Sequence, residues 1–182
     1  MYKTIISILI LAIVIVSCKK EDLNEFNQPV LFEYEYINHA WLYTHKGWMM
    51  DEEGNVRGFK LPEEWNNPDE KGYITKQELV DNLEQADTLY TTVDESDLLN
   101  HFNNRFDMQG AITDTSDVIM ADAGIGTLYV YVWDEEVEKY EKVLLASKGD
   151  LSVTNMNSSA KSAVSWLVDI GKQTDRFFWF DQ

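Results

Sequence analysis

Cysteine is nearly missing from this chain: one residue, Cys18, among 182. An intrachain disulfide has no second half, so packing alone must hold a folded domain together. Cations are scarce too, with 15 Lys and Arg against 32 Asp and Glu and a formal net charge of −17. That imbalance argues against nucleic acid as a partner, because phosphate contacts need lysine and arginine. It argues equally against adhesion to anionic headgroups. Only one long apolar run exists, Ile5 to Val16. At the helical rise it spans roughly 18 Å, well short of the ~30 Å hydrocarbon core that a membrane-crossing helix must fill. Internal repeats, low-complexity tracts and a second-domain boundary are also absent, which leaves one domain.

The short apolar run makes sense as an export signal. Lys3 precedes it, Ser17 closes it, and Cys18-Lys19-Lys20 follows with an abrupt change to polar sequence. Ile15-Val16-Ser17-Cys18 resembles the lipobox of bacterial lipoproteins. The resemblance implies cleavage before Cys18, acylation of that residue and contact with the membrane through the lipid alone. It also removes the thiol from any catalytic role. Lys19 is not the aspartate associated with inner-membrane retention, so the resemblance implies the outer membrane. Glu21-Asp22 looks like the acidic cluster that sends some such proteins to the cell surface, or serves merely as solvated linker. The expected organisation is a signal peptide over 1–17, a lipid-anchored tether over 18–29 and a globular domain over 30–182.

The domain is rich in aromatics, with six Trp, nine Tyr and eight Phe, and is long enough for a sizeable core. Phe32, Tyr34 and Tyr36 alternate with Glu33 and Glu35, which predicts a strand with the carboxylates toward solvent. From Ile37 the large residues move to odd positions (Ile37, His39, Trp41, Tyr43), and this phase switch near Asn38 predicts a bulge or bend in a long strand. Asp51 to Asn55 reads as a hairpin turn between Trp48-Met49-Met50 and Val56 to Phe59. Thr75 and Glu78 form a capping box for a helix to Ala86, and Asp94 caps a second helix from about Ser96. Gly126 to Trp133 and Tyr140 to Ser147 form a further hairpin. Asn157 or Ser158 begins a last helix that Gly171 closes. Phe177 to Phe180 is expected to dock on the sheet as a short strand. Hairpins and helices that do not alternate as β-α-β units predict an α+β fold: an antiparallel sheet with about three amphipathic helices packed on one face.

Candidate chemistry is thin. Asn67 to Glu78 resembles an EF-hand calcium loop, with Asn67, Asp69, the Tyr73 carbonyl and Glu78 as ligands. Lys71 stands where an oxygen is wanted, and a glycine turn followed by the capping box explains the same residues. Ser158 and Lys161 have the S-x-x-K spacing of penicillin-recognising enzymes, but serine at a helix start and lysine on its wet face suffice. His39 and His45 on one unbroken strand stand about 20 Å apart, too far to share a metal; His101 is alone on a helix. Gly124-Ile125-Gly126 precedes a strand rather than following one, so it is no dinucleotide fingerprint. Trp41, Trp48 and Trp65 are candidates for a sugar platform if exposed, and for core otherwise. No catalytic residue, metal ligand or cofactor-binding residue is assigned. The expectation is a lipid-anchored cell-envelope protein of the outer membrane, a non-enzymatic binding or structural module, with Cys18 as its one functional residue. Surface glycan binding or a periplasmic or surface hydrolase is the alternative.

Overall fold

Alternation along the strands decides the architecture, because both phases of the sheet are apolar enough to need a cover. The computed structural model describes residues 28–40, 42–111, 113–116, 122, 124–149 and 152–174. The leader with Cys18, Trp41 and the Phe177–Phe180 segment lie outside the described residues. Strands β1 (Phe32–Asn38), β2 (Thr44–Met50) and β3 (Asn55–Lys60) are followed by β4 (Tyr73–Ile74), α1 (Lys76–Glu84), β5 (Thr88–Thr92) and α2 (Glu95–Phe102). A 3₁₀ turn at Arg105–Met108 leads to β6 (Thr113–Ser116), β7 (Ile125–Asp134), β8 (Lys139–Gly149), β9 (Ser152–Asn155) and α3 (Ser158–Thr174). The strands form one antiparallel sheet in the order β5-β3-β2-β1-β7-β8-β9-β6, with β4 added beside β8.

The α+β class, the antiparallel sheet and the three helices are as the sequence predicts. Their placement is not, since the helices are divided between the two faces. Phe32, Tyr34, Trp48, Met50, Val130 and Val132 point to one side, where Leu98 and Phe102 of α2 and Ala163 and Leu167 of α3 cover them. The opposite phase carries Met49, Phe59, Tyr131 and Tyr140, and Leu79 of α1 packs there with Ile74. An apolar stripe goes where apolar surface waits for it, and this sheet offers it twice.

The phase change after Asn38 is a strand end, not a bend. The chain turns back and β2 pairs with β1 from Asn38↔Thr44 to Phe32↔Met50, which makes β1 a central strand. The Asp51 turn forms as expected: its Oδ1 accepts the backbone N–H of Glu53 at 3.0 Å and of Asn55 at 2.9 Å. The Thr75–Glu78 capping box closes in both directions. Asn157 caps α3, accepting from Ser159 N at 2.7 Å. That helix does not close at Gly171; it runs to Thr174, and Gly171 is buried within it. Strand β5 was missed because its side chains are largely exposed and show no alternation, as suits an edge. Gln28 belongs to the folded part: it is buried, and its Nε2 donates to the carbonyls of Val30 (2.7 Å) and Tyr131 (2.8 Å).

One glycine is demanded by close packing. A Cβ on Gly47 would overlap the backbone carbonyl oxygen of Tyr34 and lie 2.8 Å from Phe59 Cζ. Backbone in β1 cannot yield as a flexible side chain would, so Gly47→Ala is expected to cost about 3 kcal/mol of stability, read from urea denaturation.

Candidate functional site

Glu33 and Glu35, expected on a wet face, are instead among the most buried residues, at 0% and 7% exposure. Their strand lies mid-sheet, with β2 on one side and β7 on the other, and their side chains share a face with Thr127, Tyr129 and Tyr131. A buried carboxylate needs partners. Lys142 supplies them from β8, where it stands opposite Tyr131. Its Nζ lies 4.1 Å from the centre of the Tyr129 ring, 3.0 Å from Glu33 Oε1 and 3.7 Å from Glu35 Oε2. The Tyr131 hydroxyl donates to Glu33 Oε2. His45 Nε2 is 2.9 Å from Glu35 Oε1, and with Glu35 ionised that nitrogen carries the proton. The imidazole is fixed in turn by Trp65 and Phe59, whose rings meet it nearly edge to face at 5.1 and 5.2 Å.

The two carboxylates are pushed apart in acidity. Burial, the largest influence on Glu33, raises its pKa, and the charge of Glu35 adds to this against the attraction of Lys142. Burial also pushes Glu35 upward, but Lys142 and the His45 hydrogen bond together outweigh it and hold that carboxyl below its ordinary value. Lys142 would lose its proton more readily through burial alone; the two glutamates reverse that and raise its pKa. Tyr131 is raised by burial first and by the Glu33 charge second, which keeps it a donor.

A cleft of about 470 Å³ opens over the end of β1 and the start of β7, with Glu35, Thr127 and Tyr129 among its lining. Ile37 and Ile125, directly paired across the two strands, give it apolar walls, and exposed His39 and Asp122 stand at its edge. Gly124 holds the cleft's end together: at φ +80° its missing Cβ leaves room for the Ile37 carbonyl oxygen, which would be 2.7 Å away.

Other sequence candidates are placed apart from this cluster. Asp69 accepts from the backbone of Lys71 and Tyr73 and pairs with Lys139 at 3.0 Å, while Glu78 is engaged by Thr75. Among the described residues no group of three His, Cys, Asp or Glu side chains is placed to hold a metal ion. Ser158 and Lys161 are exposed at the start of α3. His101 stacks on Trp166 at 4.5 Å, and burial lowers its pKa. His39 is exposed and His45 buried, with Tyr43 between their rings at 5.3 and 6.5 Å. The described tryptophans form no exposed row: Trp48 is buried, and Trp65 packs on Phe59 at 4.3 Å.

The sequence reading missed the site because a Glu-x-Glu on a strand is the ordinary signature of a solvated face. The available signal was Lys142, a cation directly before the apolar Val143-Leu144-Leu145-Ala146 run of β8, on the strand that the hairpin pairs with the tyrosines of β7. No family model matches the chain, and no curated protein or solved structure matches it either.

Proposed function

We propose that the chain is a lipid-anchored protein of the outer membrane whose folded domain is a non-enzymatic binding module, with the β1–β7 cleft as its binding site. The observation that carries the binding reading is the cleft itself. A cleft of about 470 Å³ that sets the isoleucine pair Ile37 and Ile125 beside Glu35, a buried carboxylate held by Lys142 and His45, offers apolar wall and a positioned polar group together, as small-molecule sites do. The non-enzymatic part is supported by how the carboxylates are used, since Glu33 has no exposure and both of its oxygens meet internal donors. Among the described residues no helix is long and apolar enough to cross a membrane, which is compatible with anchoring through Cys18.

The anchor is tested by growing cells with an alkynyl palmitate analogue and fractionating them. The native protein is expected to take up label and sediment with the outer membrane, and Cys18→Ala to lose both. Unchanged sedimentation of the variant would defeat the lipid claim. Thermal-shift screening against oligosaccharides, calcium and small metabolites tests binding, and a shift lost in Glu35→Gln assigns it to the cleft. A hydrolase is the second reading, favoured by the meeting of His45 and Glu35 beside that cleft. It requires turnover of chromogenic ester or glycoside substrates that Glu35→Gln abolishes.

A further inference from the structure

The cleft's polar groups are unequal, and the inequality points to a ligand class. Two carboxylates share one ammonium. Glu33 takes the better share, with Lys142 Nζ at 3.0 Å on one oxygen and the Tyr131 hydroxyl on the other. Glu35 has His45 at 2.9 Å on Oε1, while its Oε2 is paired with Lys142 only at 3.7 Å, a longer contact than the one Glu33 receives. The less satisfied carboxylate is the one that lines the cleft, while fully inaccessible Glu33 lies behind it. A second carboxylate, Asp122, lines the same cleft from an exposed position with φ +72°. Among the described residues no lysine or arginine lines the cleft; Lys142 touches the lining residues Glu35 and Tyr129 and is shared with Glu33. The paired Ile37 and Ile125 line the same cleft, so its two carboxylates are accompanied by apolar wall.

Resting on the binding reading above, we infer that the cleft takes a small organic cation, an amine with an apolar body. Its ammonium group supplies Glu35 Oε2 with a donor closer than Lys142 at 3.7 Å, and its hydrocarbon lies against Ile37 and Ile125. A carboxylate or phosphate ligand would meet Glu35 and Asp122 with like charge, and a neutral alcohol would leave Oε2 with a weaker bond than a charge-assisted one.

The test uses three probes of equal length, n-pentylamine, 1-pentanol and pentanoate, titrated calorimetrically into the full lipoprotein in detergent micelles at pH 7. The amine is expected to bind at least tenfold more tightly than either control. Glu35→Gln is expected to remove that preference, and Asp122→Asn, an exposed change that leaves the buried cluster intact, to weaken the amine about threefold. Equal binding of amine and alcohol would overturn the cation assignment while sparing the cleft as an apolar site. Tighter binding of pentanoate would overturn it outright. No binding of any probe, with the native protein folded by circular dichroism, would remove both this inference and the cleft's role as a small-molecule site.

Discussion

Replacing Lys142 with methionine is expected to destabilise the fold by about 3–5 kcal/mol, the range seen when one member of a buried ion cluster is removed. Methionine keeps the volume and the packing of the stem, so the loss reports the charge. Glu33 and Glu35 would then share a face with no cation between them; Tyr131 would still serve the first and His45 the second. Two like charges so placed cannot both stay ionised cheaply, and the pair would be driven toward holding a proton. Restoring balance should restore stability: Glu33→Gln combined with Lys142→Met leaves one carboxylate and its imidazole, and is expected to recover at least half of the loss. Urea midpoints at pH 7 measure all three proteins. A Lys142→Met loss below about 1 kcal/mol would mean that water reaches the cluster and screens its charges.

What made the sheet legible was periodicity tied to unambiguous punctuation. The Asp51–Asn55 turn, the Thr75–Glu78 capping box and the Gly126–Trp133 strand each carry their own local chemistry, and each appears where the residues place it. Deciding which face a residue serves requires knowing the neighbours, and that information is not local. Glu33 and Glu35 look solvated on β1 alone; they are buried because β2 and β7 flank it and because Met49, Phe59 and Tyr131 draw α1 onto the same side. The division of the helices between two faces follows from the same cause. Short edge strands such as β5, and β6 over residues 113–115, escape a reading by alternation because successive side chains are largely exposed instead of alternating. His45 was judged by its spacing from His39 along one strand, whereas a turn after Asn38 puts it opposite Ile37 and beside Glu35. The cluster is therefore a product of topology, assembled from residues up to 109 positions apart in the chain.

The same cluster makes stability depend on pH in a lopsided way. Tyr131 and Tyr129 both hold their protons above the ordinary phenol value of 10.0, through burial first, with the neighbouring glutamate charges adding to the shift. Tyr140, buried on the same face, is pushed up to about 12. Lys142 is raised above 10.5 because Glu33 and Glu35 outweigh the effect of its burial. For each of these the folded protein binds the proton more tightly than the unfolded chain. Their contributions are fully present below the unfolded values near 10 and are lost as pH rises through the folded ones. Each fully buried group adds about 1.4 kcal/mol per pH unit across its own window, so the losses accumulate on one side. On the acid side the two glutamates oppose each other. Glu35, lowered, contributes above its unfolded value near 4.5 and loses that contribution as pH falls. Glu33, raised, contributes below 4.5 and loses it as pH rises. The cluster should therefore give a shallow acid limb and a steep alkaline one, with unfolding midpoints falling sharply between pH 10 and 12. Tyr131→Phe should flatten that limb by about one proton's slope, because the phenol that resists ionisation is gone. Urea midpoints from pH 3 to 12, followed by tryptophan fluorescence, measure both slopes. Midpoints that stay level from pH 9 to 11.5 would show that these protons are not held by the fold, and the account of a buried cluster that holds the Tyr131 and Lys142 protons would fail with them.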